Sequence, residues 1–155
     1  DELGVDDRLH LVPPVGQGEL IAFLASADVA LHPLPGGSPN HDQALPNKLF
    51  EYLHAGLPLV VSDARLMADF VRTHQVGEVF ATNDAAGLAA AVRRVLADPR
   101  PPADRHELAR RFSWQSQESL LLETYRRVAP LPDRLGEPTA LPAGFPDLHL
   151  SPHAP

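Results

Sequence analysis

Residues Ala44 to Asp63 read ALPNKLFEYLHAGLPLVVSD. Asn47 opens a short helix in which Leu49, Phe50 and Leu53 recur at helical spacing and turn inward. Gly56 is placed to end that helix in the left-handed conformation, which glycine adopts without a steric cost. Pro58 then starts an apolar strand, Leu59-Val60-Val61-Ser62, with no polar alternation. A helix closed by glycine and handed to a fully apolar strand is half of a βαβ unit.

The flanks supply the remainder. Upstream, Leu9 to Val12 is an apolar run closed by Pro13-Pro14 and predicts a buried strand. Glu19 to Ala27 sets Leu20, Ile21, Leu24 and Ala27 on one helical face. Asp28 leads into Val29-Ala30-Leu31-His32, a second strand stopped by Pro33. The segment PLPGGSPNHDQALP, residues 33–46, has no periodicity and predicts a loop. Downstream, a helix runs from about Ala64 to Thr73 with Met67, Phe70 and Val71 inward. Gly77 turns the chain into a brief strand around Val79-Phe80. Asn83 or Asp84 caps a long helix that buries Leu88, Val92, Val95 and Leu96, and Asp98-Pro99 ends it. A helix near Asp104 to Arg111 follows. Ser113 caps a last one aligning Trp114, Glu118, Leu121, Tyr125 and Val128, with Trp114 and Tyr125 as packing residues. This alternation predicts an α/β fold with a doubly wound parallel sheet of Rossmann-like type.

The 155 residues suit one domain, placed here at 1–129. Seven of the last 26 residues are proline, which predicts that 130–155 form an extended or disordered tail. The chain opens without Met on what reads as the frayed end of a helix, so it is expected to come from something longer. It contains no cysteine, which excludes disulfides and thiolate chemistry and fits a cytoplasmic setting. A net charge of −7 argues against nucleic acid as a partner. The arginine pairs at 93–94, 110–111 and 126–127 read as solvated helix surface.

Ligands of open parallel sheets bind beyond the carboxyl ends of the strands. The loop after His32 leaves such an end and delivers the chain to the start of the Asn47 helix. Free amides in that first turn, around Pro46, Asn47, Lys48 and Leu49, suit phosphate oxygens, and Lys48 adds a full positive charge. Glu51, one turn further in, is placed to accept two hydroxyl hydrogen bonds from a ribose. No Walker motif or GxGxxG is present, and GxSxG is lacking around Ser62. Eight histidines raise the question of a metal. His32, His41 and His54 flank the loop and helix, yet none of them forms an HxH or HxxxH pair, so no metal site is expected. Asp63, at a strand end, reads equally as a ligand contact or as the cap of the Ala64 helix.

The string ALPNKLFEYLHAGLPLVVSD resembles the donor-site signature of the retaining family 4 glycosyltransferases, which have the GT-B fold. GVDDRLHLVPPVGQGELIAFLASADVALHP is similar to the family segment before it, and FSWQSQESLLLETYRRV to its closing C-terminal helix. The likeness covers roughly Leu3 to Ala129. It implies an N-terminally truncated, Rossmann-like C-terminal half that binds a nucleotide-diphosphate sugar, UDP- or GDP-linked, as substrate and needs no cofactor or metal. It implies that the Pro46-Asn47-Lys48-Leu49 turn meets the diphosphate and that Glu51 clamps the ribose diol. Asn40, His41, Asp42 and Gln43 would lie nearest the transferred sugar, with His41 and Gln43 as the catalytic candidates. An acceptor-binding N-terminal domain, absent here, would face the acceptor and any membrane surface.

Two departures from the family pattern bear on activity. Many relatives carry a glutamate eight positions before the ribose-binding one, where this chain has Gln43. The family's diphosphate-neutralising Arg and Lys would stand on a first strand and helix that these residues do not include. A non-catalytic nucleotide-sugar-binding module and a GT-B sugar-nucleotide epimerase are therefore the alternatives, the PNKLFEY wording speaking against the epimerase.

Overall fold

Strand β2, Leu59–Ser62, is the central strand and is buried at every residue. In a computed structural model that describes residues 4–35, 38–97 and 102–128, it lies between two parallel neighbours. These are β1, Ala30–His32, and β3, Gly77–Phe80, in the order β1-β2-β3. Ala30 pairs with Leu59 and His32 with Val61 on one side; Leu59 pairs with Gly77 and Ser62 with Phe80 on the other.

Alternation along β2 sends side chains into two separate cores, which explains its continuous apolar run. Leu59 and Val61 join one core with Leu49 and Leu53 of α3 (Asn47–His54). Met67, Phe70 and Val71 of α4 (Arg65–His74) and Leu108 and Ala109 of α6 (Pro102–Arg111) complete it. Val60 and Phe80 face the other core, closed by Ala91 and Val95 of α5 (Ala85–Ala97). The sheet is thus covered on both faces, as the alternation of elements predicts.

The end of α3 follows its glycine. Gly56 has φ 75°, the Gly56 N–H donates to the Leu53 carbonyl at 3.0 Å, and the Leu57 N–H donates to the Tyr52 carbonyl at 2.9 Å. Those two bonds form a Schellman turn. A feature that no sequence pattern marked secures it: Arg105 of α6 is buried, and its Nε donates to the Gly56 carbonyl at 2.6 Å.

Several expectations are corrected. Leu9 to Val12 form no strand, and Leu11 is 91% exposed. A strand exists only through a partner, and among the described residues β1 pairs with β2 alone. The first helix, α1, is only Leu20–Leu24, closing as the Ala25 amide returns to Ile21 and the Ser26 hydroxyl to Phe23. The supposed loop 33–46 contains one turn of helix, α2, Pro39–Asp42. Asp84 caps α5 through its Oδ1, which accepts from the Gly87 N–H at 2.8 Å. Leu96 of that helix is 52% exposed, because Ala91 and Val95 define its inner stripe and Leu96 lies about 100° round from Val95.

Ser113 does precede α7, Trp114–Val128, and the Ser116 N–H reaches its hydroxyl at 3.4 Å. Trp114, however, is 64% exposed and does not pack. The chain divides into compact units at Ser116/Gln117, so most of α7 belongs to the second. Within it, Arg127 pairs with Glu123 one turn earlier, and Leu121 and Tyr125 are exposed. The proline-rich tail 130–155 lies outside the described residues. No helix among them is long and apolar enough to cross a membrane.

Gly77 is required for a packing reason. A Cβ built on it would fall on the Leu59 peptide of the neighbouring strand. Gly77→Ala is expected to cost at least about 2 kcal/mol, as overpacked positions do. Equilibrium unfolding measures this, and a variant as stable as its parent would contradict the β2–β3 register.

Candidate functional site at the carboxyl end of the sheet

Because β1 and β2 run parallel, α3 must return antiparallel to them, which brings its first turn to their carboxyl ends. The electrostatics agree. The imidazole of His32, last residue of β1, is held below the usual histidine range by burial and then by the charge of Lys48. His32 Nε2 is enclosed and has no hydrogen-bond partner among the described residues.

The helix start itself is open. Pro46 is the N-cap, with extended backbone and no side-chain capping bond. Its carbonyl accepts the Leu49 N–H at 3.0 Å. That leaves the amides of Asn47 and Lys48 as the uncommitted donors of the turn among the described residues, at the positive end of the helix dipole. Asn47 and Lys48 are exposed, and Glu51 is half-buried three residues past Lys48 on the same face. Beside it, the Tyr52 hydroxyl is pushed above its ordinary value by burial and then by Glu51.

The motif therefore splits by face. Leu49 and Leu53 are fully buried. Phe50 packs on Phe70 and Phe112 at centroid distances of 5.8 and 5.6 Å. These apolar residues hold the helix, and the polar Asn47 and Lys48 are left exposed.

The loop residues are arranged on α2 and just after it. Asn40 and Asp42 are exposed on α2, and Gln43 is its exposed C-cap residue. His41 turns back, with Nδ1 2.7 Å from the Pro35 carbonyl. An apolar hollow of about 300 Å³ lies alongside, lined by Pro33, Leu34, Pro35, Phe80 and Leu88 among others.

Two strand-end contacts escaped the sequence reading. Ser62, fully buried, accepts the Leu34 N–H at 2.9 Å. Asp63 does not cap the following helix, whose N-cap is Ala64 with no side-chain bond. Instead Asp63 Oδ1 accepts from the Thr82 N–H at 3.0 Å and the Thr82 hydroxyl at 2.6 Å, tying the ends of β2 and β3. The Thr82 hydrogen bonds hold its carboxyl below the usual aspartate range. The signal for both was a polar residue ending an apolar run, which does not name its partner.

A family model described as "Glycosyl transferases group 1" matches residues 1–98. The chain belongs to the group 1 glycosyltransferases. The glycogen synthase of Mycobacterium tuberculosis is 37% identical over 112 residues, covering 69% of this chain and 26% of the relative. A D-inositol 3-phosphate glycosyltransferase of Saccharomonospora viridis is 30% identical over 131 residues, 82% of this chain and 29% of its own. A phosphatidyl-myo-inositol mannosyltransferase of Mycobacterium leprae is 28% identical over 130 residues, 81% and 33% respectively. This glycosyltransferase chain thus spans only about a quarter to a third of the length of those relatives. The matched span of the family model holds β1, the loop, α3 and both strand-end contacts.

The pH response of this end follows from His32. Folding favours its neutral form, so the unfolded chain binds the proton more readily just below the ordinary value of 6.5. Stability should rise with pH through that window and level off above it. Unfolding midpoints taken from about pH 5 to about pH 8 should show the rise, and His32→Phe should remove part of it. Equal slopes in the two proteins would contradict this. The depressed carboxyl of Asp63 acts lower, its contribution being lost only as pH falls below the usual aspartate range.

Proposed function

We propose that this chain forms the donor-binding part of a glycosyltransferase that moves a sugar from a UDP- or GDP-linked donor to an acceptor with retention of anomeric configuration. One observation carries the reading: in a member of this family, the uncapped start of α3 and Lys48 stand at the carboxyl end of the parallel sheet. Diphosphate oxygens suit the amides of Asn47 and Lys48 and the Lys48 ammonium. Glu51, half-buried one turn inside, suits the two hydroxyls of a ribose. Asn40, His41 and Gln43, on and after α2, then fall toward the transferred sugar.

In this proposal the leaving diphosphate is stabilised by helix dipole and side-chain charge, without a metal. The setting is cytoplasmic, and the acceptor and any membrane contact belong to the rest of the polypeptide. Gln43 favours one second reading. A neutral amide where many relatives have a carboxylate supplies hydrogen bonds but no charge beside a forming oxocarbenium, which suits a binding module without turnover. Donor hydrolysis or sugar transfer by the intact polypeptide separates the two.

Titration calorimetry of UDP and GDP on the intact polypeptide tests the site. Glu51→Ala should weaken the preferred nucleotide by about 1–3 kcal/mol, the scale of lost charge-assisted hydrogen bonds. Unchanged affinity would refute the assignment. The 155-residue chain alone should transfer no sugar. Turnover by it would show that the cleft does not need a second domain.

A further inference from the structure

The Pro33-Leu34-Pro35 segment that leaves β1 contains a single backbone N–H, because proline has none. That N–H, on Leu34, donates to the Ser62 hydroxyl oxygen at 2.9 Å. Ser62 ends β2 and is fully enclosed. His32 and Leu34 each precede a proline and are confined to extended backbone, so the segment is stiff as well as singly anchored. At its far end the Pro35 carbonyl lies 2.7 Å from Nδ1 of His41. A carbonyl oxygen only accepts, so Nδ1 carries the hydrogen in this contact. Nε2 is the remaining nitrogen and makes no hydrogen bond among the described residues.

We propose that Ser62 is a positioning residue for the sugar end of the site: through Leu34 and Pro35 it holds His41 as the Nδ1–H tautomer, so that Nε2 accepts a hydrogen bond from a sugar hydroxyl. This rests on the donor-site reading above. Packing alone gives no reason for a hydroxyl at Ser62, since an enclosed polar group costs stability unless bonded. The bond it makes goes to the single amide of the Pro33-Leu34-Pro35 segment. The stiffness of the two prolines then transmits that location to the carbonyl beside His41.

Two-bond 1H–15N spectra of the imidazoles in the intact, ligand-free polypeptide report the tautomer directly. His41 should be Nδ1–H in the parent and mixed in Ser62→Ala. With the enzyme turning over, Ser62→Ala should lower kcat about tenfold, the scale of one lost hydrogen bond, with KM for the nucleotide sugar within about twofold. His41→Gln, which keeps an acceptor near Nε2, should retain more activity than His41→Phe. An Nε2–H tautomer in the parent overturns the proposal, as does a folded Ser62→Ala with unchanged tautomer and kcat. Should Ser62→Ala fail to fold, Ser62→Cys keeps a weaker acceptor and should show the same changes in smaller degree. If the parent binds no nucleotide diphosphate, the donor-site reading falls and the sugar contact with it. The tautomer and its dependence on Ser62 are decided by the ligand-free spectra alone.

Discussion

The reversal at Gly56 is the constraint on which the rest of the molecule depends. Here α3 stops and β2 begins within a few residues, and the direction of one sets the direction of the other. Three hydrogen bonds hold the turn: the two Schellman bonds and that from the buried Arg105 to the Gly56 carbonyl. An enclosed guanidinium is costly to desolvate, so its placement on a backbone carbonyl matters. It ties α6 to the junction of helix and strand, and with it the axis of α3. Everything said of the site follows from that axis, because it decides that the first turn of α3 lies at the carboxyl ends of the strands.

A single motif performs two physical tasks on opposite faces of one helix. Leu49, Phe50 and Leu53 are consumed by packing, Phe50 within a cluster that also holds Phe70, His74 and Phe112. Asn47, Lys48 and Glu51 remain on the open side. The rigidity of the first group supports the usefulness of the second, since a charge placed on a well-packed helix need not be ordered again when a ligand arrives. His32 shows the accompanying cost. Burial and then the charge of Lys48 disfavour its protonated form, and its Nε2 is enclosed without a hydrogen-bond partner among the described residues.

The carboxyl edge of the sheet is stitched by polar side chains and not by further ladder bonds. Ser62 holds the loop after β1, and Asp63 holds Thr82, two residues past β3. Both belong to β2 or its next residue, so the central strand organises both neighbours' exits. These ties leave the loop backbone located while its exposed side chains, Asn40 and Gln43 among them, stay free of the core.

By itself the sequence determined the order of elements from α1 onward apart from α2, the parallel sheet covered on both faces, the glycine stop of α3, a cap for α5 at Asn83 or Asp84, and the division of the PNKLFEY motif into inward and outward residues. Those features are local: helical spacing, an apolar run, a left-handed glycine, a cap three residues from its amide. What only the tertiary structure decided are the pairings over long sequence separations: Arg105 with Gly56, Ser62 with Leu34, Asp63 with Thr82, Lys48 near His32. It also decided that Leu9 to Val12 are not a strand, because an apolar run becomes one only where a neighbour supplies hydrogen bonds. Residue type announces that a polar group needs a partner, and only the folded chain says which one is within reach.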